Sequence, residues 1–101
     1  IIANPPYVPE ESAARLQPEI TKFEPLVAIT GGPGDGLRVS RRIIEGAPRL
    51  LRPGGGLLME MGYGQADLAI DVARRAFGAD AEIDLQLDLA GIPRVLRIWT
   101  G

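Results

Sequence analysis

Gly56-Leu57-Leu58-Met59-Glu60-Met61-Gly62, with the helical pattern of Gln65–Phe77 close behind it, decides how this chain folds. The first stretch is short, apolar and bounded by glycines, which marks a buried strand. The second carries Leu68, Val72, Ala73, Ala76 and Phe77 on one side of a helix, with Gly78 placed to end it. Beyond it, Ala81–Leu89 alternates strictly. Ile83, Leu85, Leu87 and Leu89 fall on one face, and Glu82, Asp84, Gln86 and Asp88 on the other. That period of two predicts a half-exposed strand. Ala90-Gly91-Ile92-Pro93 then turns the chain into a last strand over Arg94–Thr100, antiparallel to its predecessor.

Upstream, Leu37, Ile43, Ile44, Ala47, Leu50 and Leu51 recur at helical spacing. They follow a dense turn region, Gly31, Gly32, Pro33, Gly34 and Gly36, in which Asp35 fits a helix N-cap. Pro48 interrupts the pattern and predicts a kink or a tightened turn, and Pro53 with Gly54–Gly56 ends it. Glu10–Leu16 reads as a short helix halted before Pro18, and Leu26–Ile29 as a short strand within a loop. Ile1, Ile2 and Ala3 form an apolar run that stops at Asn4, because Pro5 and Pro6 cannot donate ladder hydrogen bonds. The order strand, loop, helix, strand, helix, strand, strand predicts an α/β fold. It implies right-handed crossovers onto a mostly parallel sheet, closed by an antiparallel hairpin.

The chain has 101 residues, 46% hydrophobic and 24% charged, enough for one small globular domain and too apolar for disorder. With no cysteine there is no disulfide, thiol nucleophile or Cys-ligated metal. With no histidine, Ser-His triads and imidazole acid–base chemistry are excluded too. Any catalysis must work through positioning, hydrogen bonding or carboxylates. The net charge of −2 and the scattered arginines argue against a nucleic-acid partner. No apolar run reaches the roughly 18–20 residues of a membrane span and no signal peptide is visible, so a cytoplasmic protein is expected.

Asn4-Pro5-Pro6-Tyr7 is the stretch that carries chemistry, and it follows a strand, where open α/β sheets place their ligands. Asn before Pro is a common turn starter; the preceding strand and the following α/β pattern favour a functional reading. An amide or exocyclic amine has its lone pair drawn into a π system and is a poor nucleophile. The Asn4 side-chain oxygen and the Pro5 carbonyl can accept hydrogen bonds from such an NH₂ group and favour the more positive transition state of methyl transfer. Prolines at both following positions fix φ and pre-aim that carbonyl. Tyr7 can lie flat against the planar group. Orientation of this kind supplies about 7–11 kcal/mol in the best intramolecular cases.

The Asn4–Tyr7 tetrapeptide resembles that of the amino-methyltransferases: adenine-N6 enzymes of DNA, some guanine-N2 enzymes of ribosomal RNA, and the HemK-type (PrmC-type) glutamine methyltransferases. Phe23-Glu24-Pro25-Leu26-Val27-Ala28, Gly31-Gly32 and Gly34-Asp35-Gly36-Leu37 are similar to the HemK-type pattern in the same order. So are Leu51-Arg52-Pro53-Gly54-Gly55, Glu60-Met61-Gly62-Tyr63-Gly64-Gln65 and Asp88-Leu89-Ala90-Gly91. Pro33-Gly34 adds one residue to the commonest spacing, and Met59 and Met61 replace branched aliphatics beside Glu60. The resemblance implies a class I S-adenosylmethionine-dependent, Rossmann-like fold, of which residues 1–101 form the C-terminal part. It also implies that Asn4 touches both the methionine part of S-adenosyl-L-methionine and the substrate amide, with Pro5, Pro6 and Tyr7 completing the amide pocket. The implied substrate is the glutamine of the Gly-Gly-Gln tripeptide in peptide chain release factors.

Glu60 is expected as a buried structural acid or a pocket residue, and Glu24 as a loop anchor or a pocket residue. Trp99 and Phe77 are core or patch residues. The family's glycine-rich cofactor loop lies upstream of its Asn-Pro-Pro-Tyr, and Gly31–Gly36 does not replace it. The 101 residues alone are therefore expected to lack useful activity. Two other readings remain open at this level: a nucleobase amino-methyltransferase, and a catalytically silent fragment that forms a homodimer through the exposed sheet edge of Ile1–Ala3.

Overall fold

The computed structural model describes residues 1–9, 34 and 36–101. The helix expected at Glu10–Leu16, the strand at Leu26–Ile29, Glu24, Asp35 and most of the glycine turn lie outside the described residues.

Apolar residues set the sheet. Ile2–Ala3 (β1) runs parallel to Gly56–Glu60 (β2), with Ile2 opposite Leu58 and Ala3 opposite Met59. Glu82–Leu87 (β3) and Pro93–Trp99 (β4) form the expected antiparallel hairpin. β4 also pairs antiparallel with β2, which gives the order β1-β2-β4-β3. The sheet is thus mixed among the described strands, where the sequence predicted a mostly parallel one. The short hairpin turn folds β4 back between β2 and β3, and this converts a would-be parallel neighbour into an antiparallel one.

Arg38–Gly46 (α1) presents Leu37, Ser40, Ile44 and Ala47 on one helical stripe, all buried. The helix begins at Arg38 with Leu37 in the cap position, two residues later than Asp35 predicted, and Leu37 offers no side-chain cap. At Pro48 the helix tightens as expected, into a 3₁₀ turn over Ala47–Arg49. Proline lacks the N–H that the α register would require there.

Ala66–Phe77 (α2) carries Asp67 in its first turn and Arg74 and Arg75 in its last, both favourable to the helix dipole. It ends on Gly78 at φ 77°, whose N–H donates to the Arg74 carbonyl. Its buried residues are Ala69 and Ala73, while Leu68 is 45% exposed. Val72, Ala73, Ala76 and Phe77 of the expected face do pack on the core; Leu68 alone among them leaves it, and Ala69 is buried instead. Alanines let α2 approach β3 and β4 closely, whereas a leucine at the contact would hold it away.

The core lies between the two helices and one face of the sheet. Ile44, Leu57, Met59, Met61, Leu96 and Ile98 fill it, with Ala69 and Ala73 above them. On the opposite face Arg97 makes a two-pronged ion pair with Asp84 of the neighbouring strand. The Trp99 ring lies over Gly56 and is 42% exposed, outside the core cluster, whereas Phe77 packs against that cluster. Leu87 and Leu89 continue the alternation but are exposed, since a bulge at Gln86/Leu87 and the turn at Asp88 end the strand. No described helix is long and apolar enough to cross a membrane.

Candidate active site at the carboxyl ends of β1 and β2

The parallel register brings the carboxyl ends of β1 and β2 side by side, and Asn4 and Glu60 follow from it as neighbours at that edge. Asn4 is exposed, Pro5 is buried, and Pro6 and Tyr7 are half-buried. Burial of Pro5 anchors the corner, and the fixed φ of both prolines sets the direction in which the chain leaves β1.

Tyr7 is held at both its side chain and its carbonyl. Its phenol donates to Glu60 Oε1 at 2.9 Å. Its ring lies against Gly62 so closely that a Cβ there would overlap it. Burial holds the Tyr7 phenol above its ordinary pKa, and the hydrogen bond to the Glu60 carboxylate and that group's charge push it the same way; Arg94 opposes them. A protonated, oriented phenol results.

The Tyr7 carbonyl accepts a hydrogen bond from Gln65 Nε2 at 2.7 Å, and the N–H of Gly62 donates to Gln65 Oε1 at 2.9 Å. Gln65 is 6% exposed. Gly36 closes the other side at φ 76°, where a Cβ would strike the Tyr7 carbonyl and the Pro9 nitrogen. Three segments distant in sequence thus meet on one carbonyl.

A cleft of about 330 Å³ opens beside this arrangement, lined by Tyr7, Pro9, Tyr63, Gln65 and Leu68 among others. Tyr63, 77% exposed, also borders a second cleft of about 450 Å³ with Asp67, Ile92 and Pro93. Of the residues singled out from sequence, the structure joins Tyr7 to Glu60 directly. Asn4 and Pro5 sit at the same sheet edge but line neither cleft. Glu24 lies outside the described residues. Sequence reasoning missed Gln65 and Tyr63. The signal for Gln65 was a polar residue at the start of an otherwise apolar-faced helix, inside the Glu60–Gln65 motif.

No family model matches the chain. It is 45% identical over 100 residues to the release factor glutamine methyltransferase of Synechocystis, covering 99% of this chain and 33% of that protein. It is 44% identical over 96 residues to the protein of the same name from Thermodesulfovibrio yellowstonii, covering 95% and 33%. The crystal structure of a release factor-specific protein-(glutamine-N5) methyltransferase from Alicyclobacillus acidocaldarius superposes with a TM-score of 0.58 at 30% identity. That match covers 65% of this chain and 41% of the other. The chain spans about a third of the length of the curated relatives it matches.

Proposed function

The chain belongs to the release factor glutamine methyltransferases, and from that premise we propose that residues 1–101 are the C-terminal part of a catalytic domain that methylates the glutamine side-chain amide of the Gly-Gly-Gln tripeptide in a peptide chain release factor. The observation that carries this reading is the Asn4–Tyr7 corner at the carboxyl end of β1, with its tyrosine fixed by Glu60 and its carbonyl by Gln65. The protein substrate is carried over from the relatives' names.

The corner's own residues divide the work. The Asn4 side-chain oxygen and the Pro5 carbonyl accept the two amide hydrogens and hold the nitrogen in line for transfer. Tyr7, its phenol held protonated by burial and by Glu60 and oriented by that hydrogen bond, walls the planar group. No base is required in the corner, because the amide proton becomes acidic only after the methyl has been transferred. The chemistry of the exposed Asn4 amide, one acceptor and two donors, also fits the carboxylate and ammonium of a methionine moiety. S-adenosyl-L-methionine supplies an electrophilic methyl group when bound.

The test places these 101 residues in the Synechocystis relative in place of its matching third and measures labelled-methyl transfer to a release factor. Transfer that falls on the order of a hundredfold or more in Asn4→Ala supports the reading; a chimera that folds but transfers nothing overturns it. Calorimetric titration of the chain alone with S-adenosyl-L-methionine, together with sedimentation, separates a working site from a silent, self-associating segment.

A further inference from the structure

Gln65 occupies the cap position of α2, where a polar side chain ordinarily turns forward to bond the first free helix amides. Here it makes no such bond. Its amide instead reaches backward: Oε1 accepts from the Gly62 N–H, and Nε2 donates to the Tyr7 carbonyl, 58 residues away in sequence. The side chain is buried, so these bonds are not exchanged with water. Leaving either partner unpaired would carry the desolvation cost of a buried polar group.

The Tyr7 carbonyl is two residues beyond Pro5, whose own carbonyl is the acceptor assigned above to the substrate NH₂. Pro6 lies between them, so the segment has little torsional freedom with which to absorb a displacement at Tyr7. Gly36 presses on the same carbonyl from another side and leaves no room for a side chain. The carbonyl is held between a donor and a wall.

We propose that Gln65 is a positioning residue for methyl transfer, its side-chain amide fixing the Asn4–Tyr7 corner through the Tyr7 carbonyl while it is itself oriented by the Gly62 N–H. This rests on the functional reading above, and it deepens it. Only an amide fits both ends. An ionised glutamate keeps the acceptor for Gly62 but has no donor for Tyr7, and methionine has neither.

The experiment uses Gln65→Glu and Gln65→Met. In the 101-residue chain with a ¹³C label at the Tyr7 carbonyl, both variants are expected to shift that resonance. Protection of the Gly62 amide against exchange is expected to persist in the glutamate variant and to fall in the methionine variant. In the chimera, kcat is expected to drop roughly ten- to a hundredfold with little change in KM for the methyl donor, since a displacement of about 1 Å can cost on the order of a hundredfold. A role in stability alone would lower the folded fraction and leave kcat per folded molecule unchanged. An unmoved Tyr7 carbonyl in the glutamate variant, or an unchanged kcat, overturns the proposal. If the methionine variant does not fold, the glutamate variant decides. An inactive parent chimera defeats the functional reading, while the carbonyl shift still decides whether Gln65 sets the corner.

Discussion

The Tyr7 hydroxyl bonds to Glu60 across 53 residues of chain, joining the segment that leaves β1 to the last residue of β2. The parallel register places these two strand ends together, and the hydrogen bond converts that adjacency into a fixed aromatic wall. Glu60→Gln keeps an acceptor but removes the charge. The Tyr7 phenol should then ionise at lower pH than in the parent, yet still above an ordinary tyrosine, because burial is the largest cause of its shift. Spectrophotometric titration in a Tyr63→Phe background isolates Tyr7; an unchanged titration would show that the carboxylate does not act on it.

The same shift makes a prediction about alkaline stability. A phenol whose pKa is raised on folding contributes stability that is complete below its unfolded value, about 10, and is lost as pH rises through the folded value. Urea midpoints of the chain should therefore fall above about pH 10 more steeply than those of Tyr7→Phe. Equal slopes would contradict the assignment.

At the acid end, Asp88 organises the β3–β4 turn. Its carboxylate accepts from the N–H groups of Ala90 and Ile92 and from Arg94 Nε. The Ile92 hydrogen bond, helped by those of Arg94 and Ala90, holds its pKa below the usual aspartate range. Its contribution is present above the unfolded pKa and is lost as pH falls through the folded one. The stability gap between the parent and Asp88→Asn should thus narrow below about pH 4 and close at lower pH, as read from urea unfolding.

Leu96 is fully buried in β4 between β2 and β3, inside the cluster that joins both helices to the sheet. Leu96→Ala should cost about 2–5 kcal/mol, from lost burial plus the cavity left behind. Chemical denaturation checks the value. A loss below 1 kcal/mol, roughly that of a tolerant surface site, would mean the core collapses around the gap.

Gly36 combines φ 76° with contact against the Tyr7 carbonyl. Gly36→Ala should cost more than the roughly 1–2 kcal/mol of left-handed strain alone, because the added methyl must also displace the corner. The Tyr7 titration should move with it. A purely local cost, with Tyr7 unchanged, would refute the contact.

Much of this architecture was legible from residues 56–101. Glycine boundaries and apolar content marked β2, the i, i+3, i+4 spacing marked α2, and Gly78 marked its end. Pro48 correctly announced the 3₁₀ turn. What was not legible depends on partners far away in sequence. Nothing in the pattern of α2 says that Ala69 rather than Leu68 faces the sheet, since small residues are selected by the closeness of the packing. The insertion of β4 between β2 and β3 is a pairing choice that alternation along a single strand does not encode. For the site, Asn4–Tyr7 stood out through its prolines, whereas the role of Gln65 exists only once Gly62 and Tyr7 have been brought to its two ends.

Gln65 also ties the start of α2 to the corner in one hydrogen-bonded ring: its own N–H donates to the Gly62 carbonyl, and its carbonyl accepts from Ala69. The first turn of the helix and the Tyr7 segment therefore cannot fray independently. They form one cooperative opening unit, whose amides should exchange with deuterium in a single correlated event. Any thermal excursion that unwinds the beginning of α2 would release the corner at the same moment, so its lifetime is set by the stability of a helix far from Asn4 in the sequence.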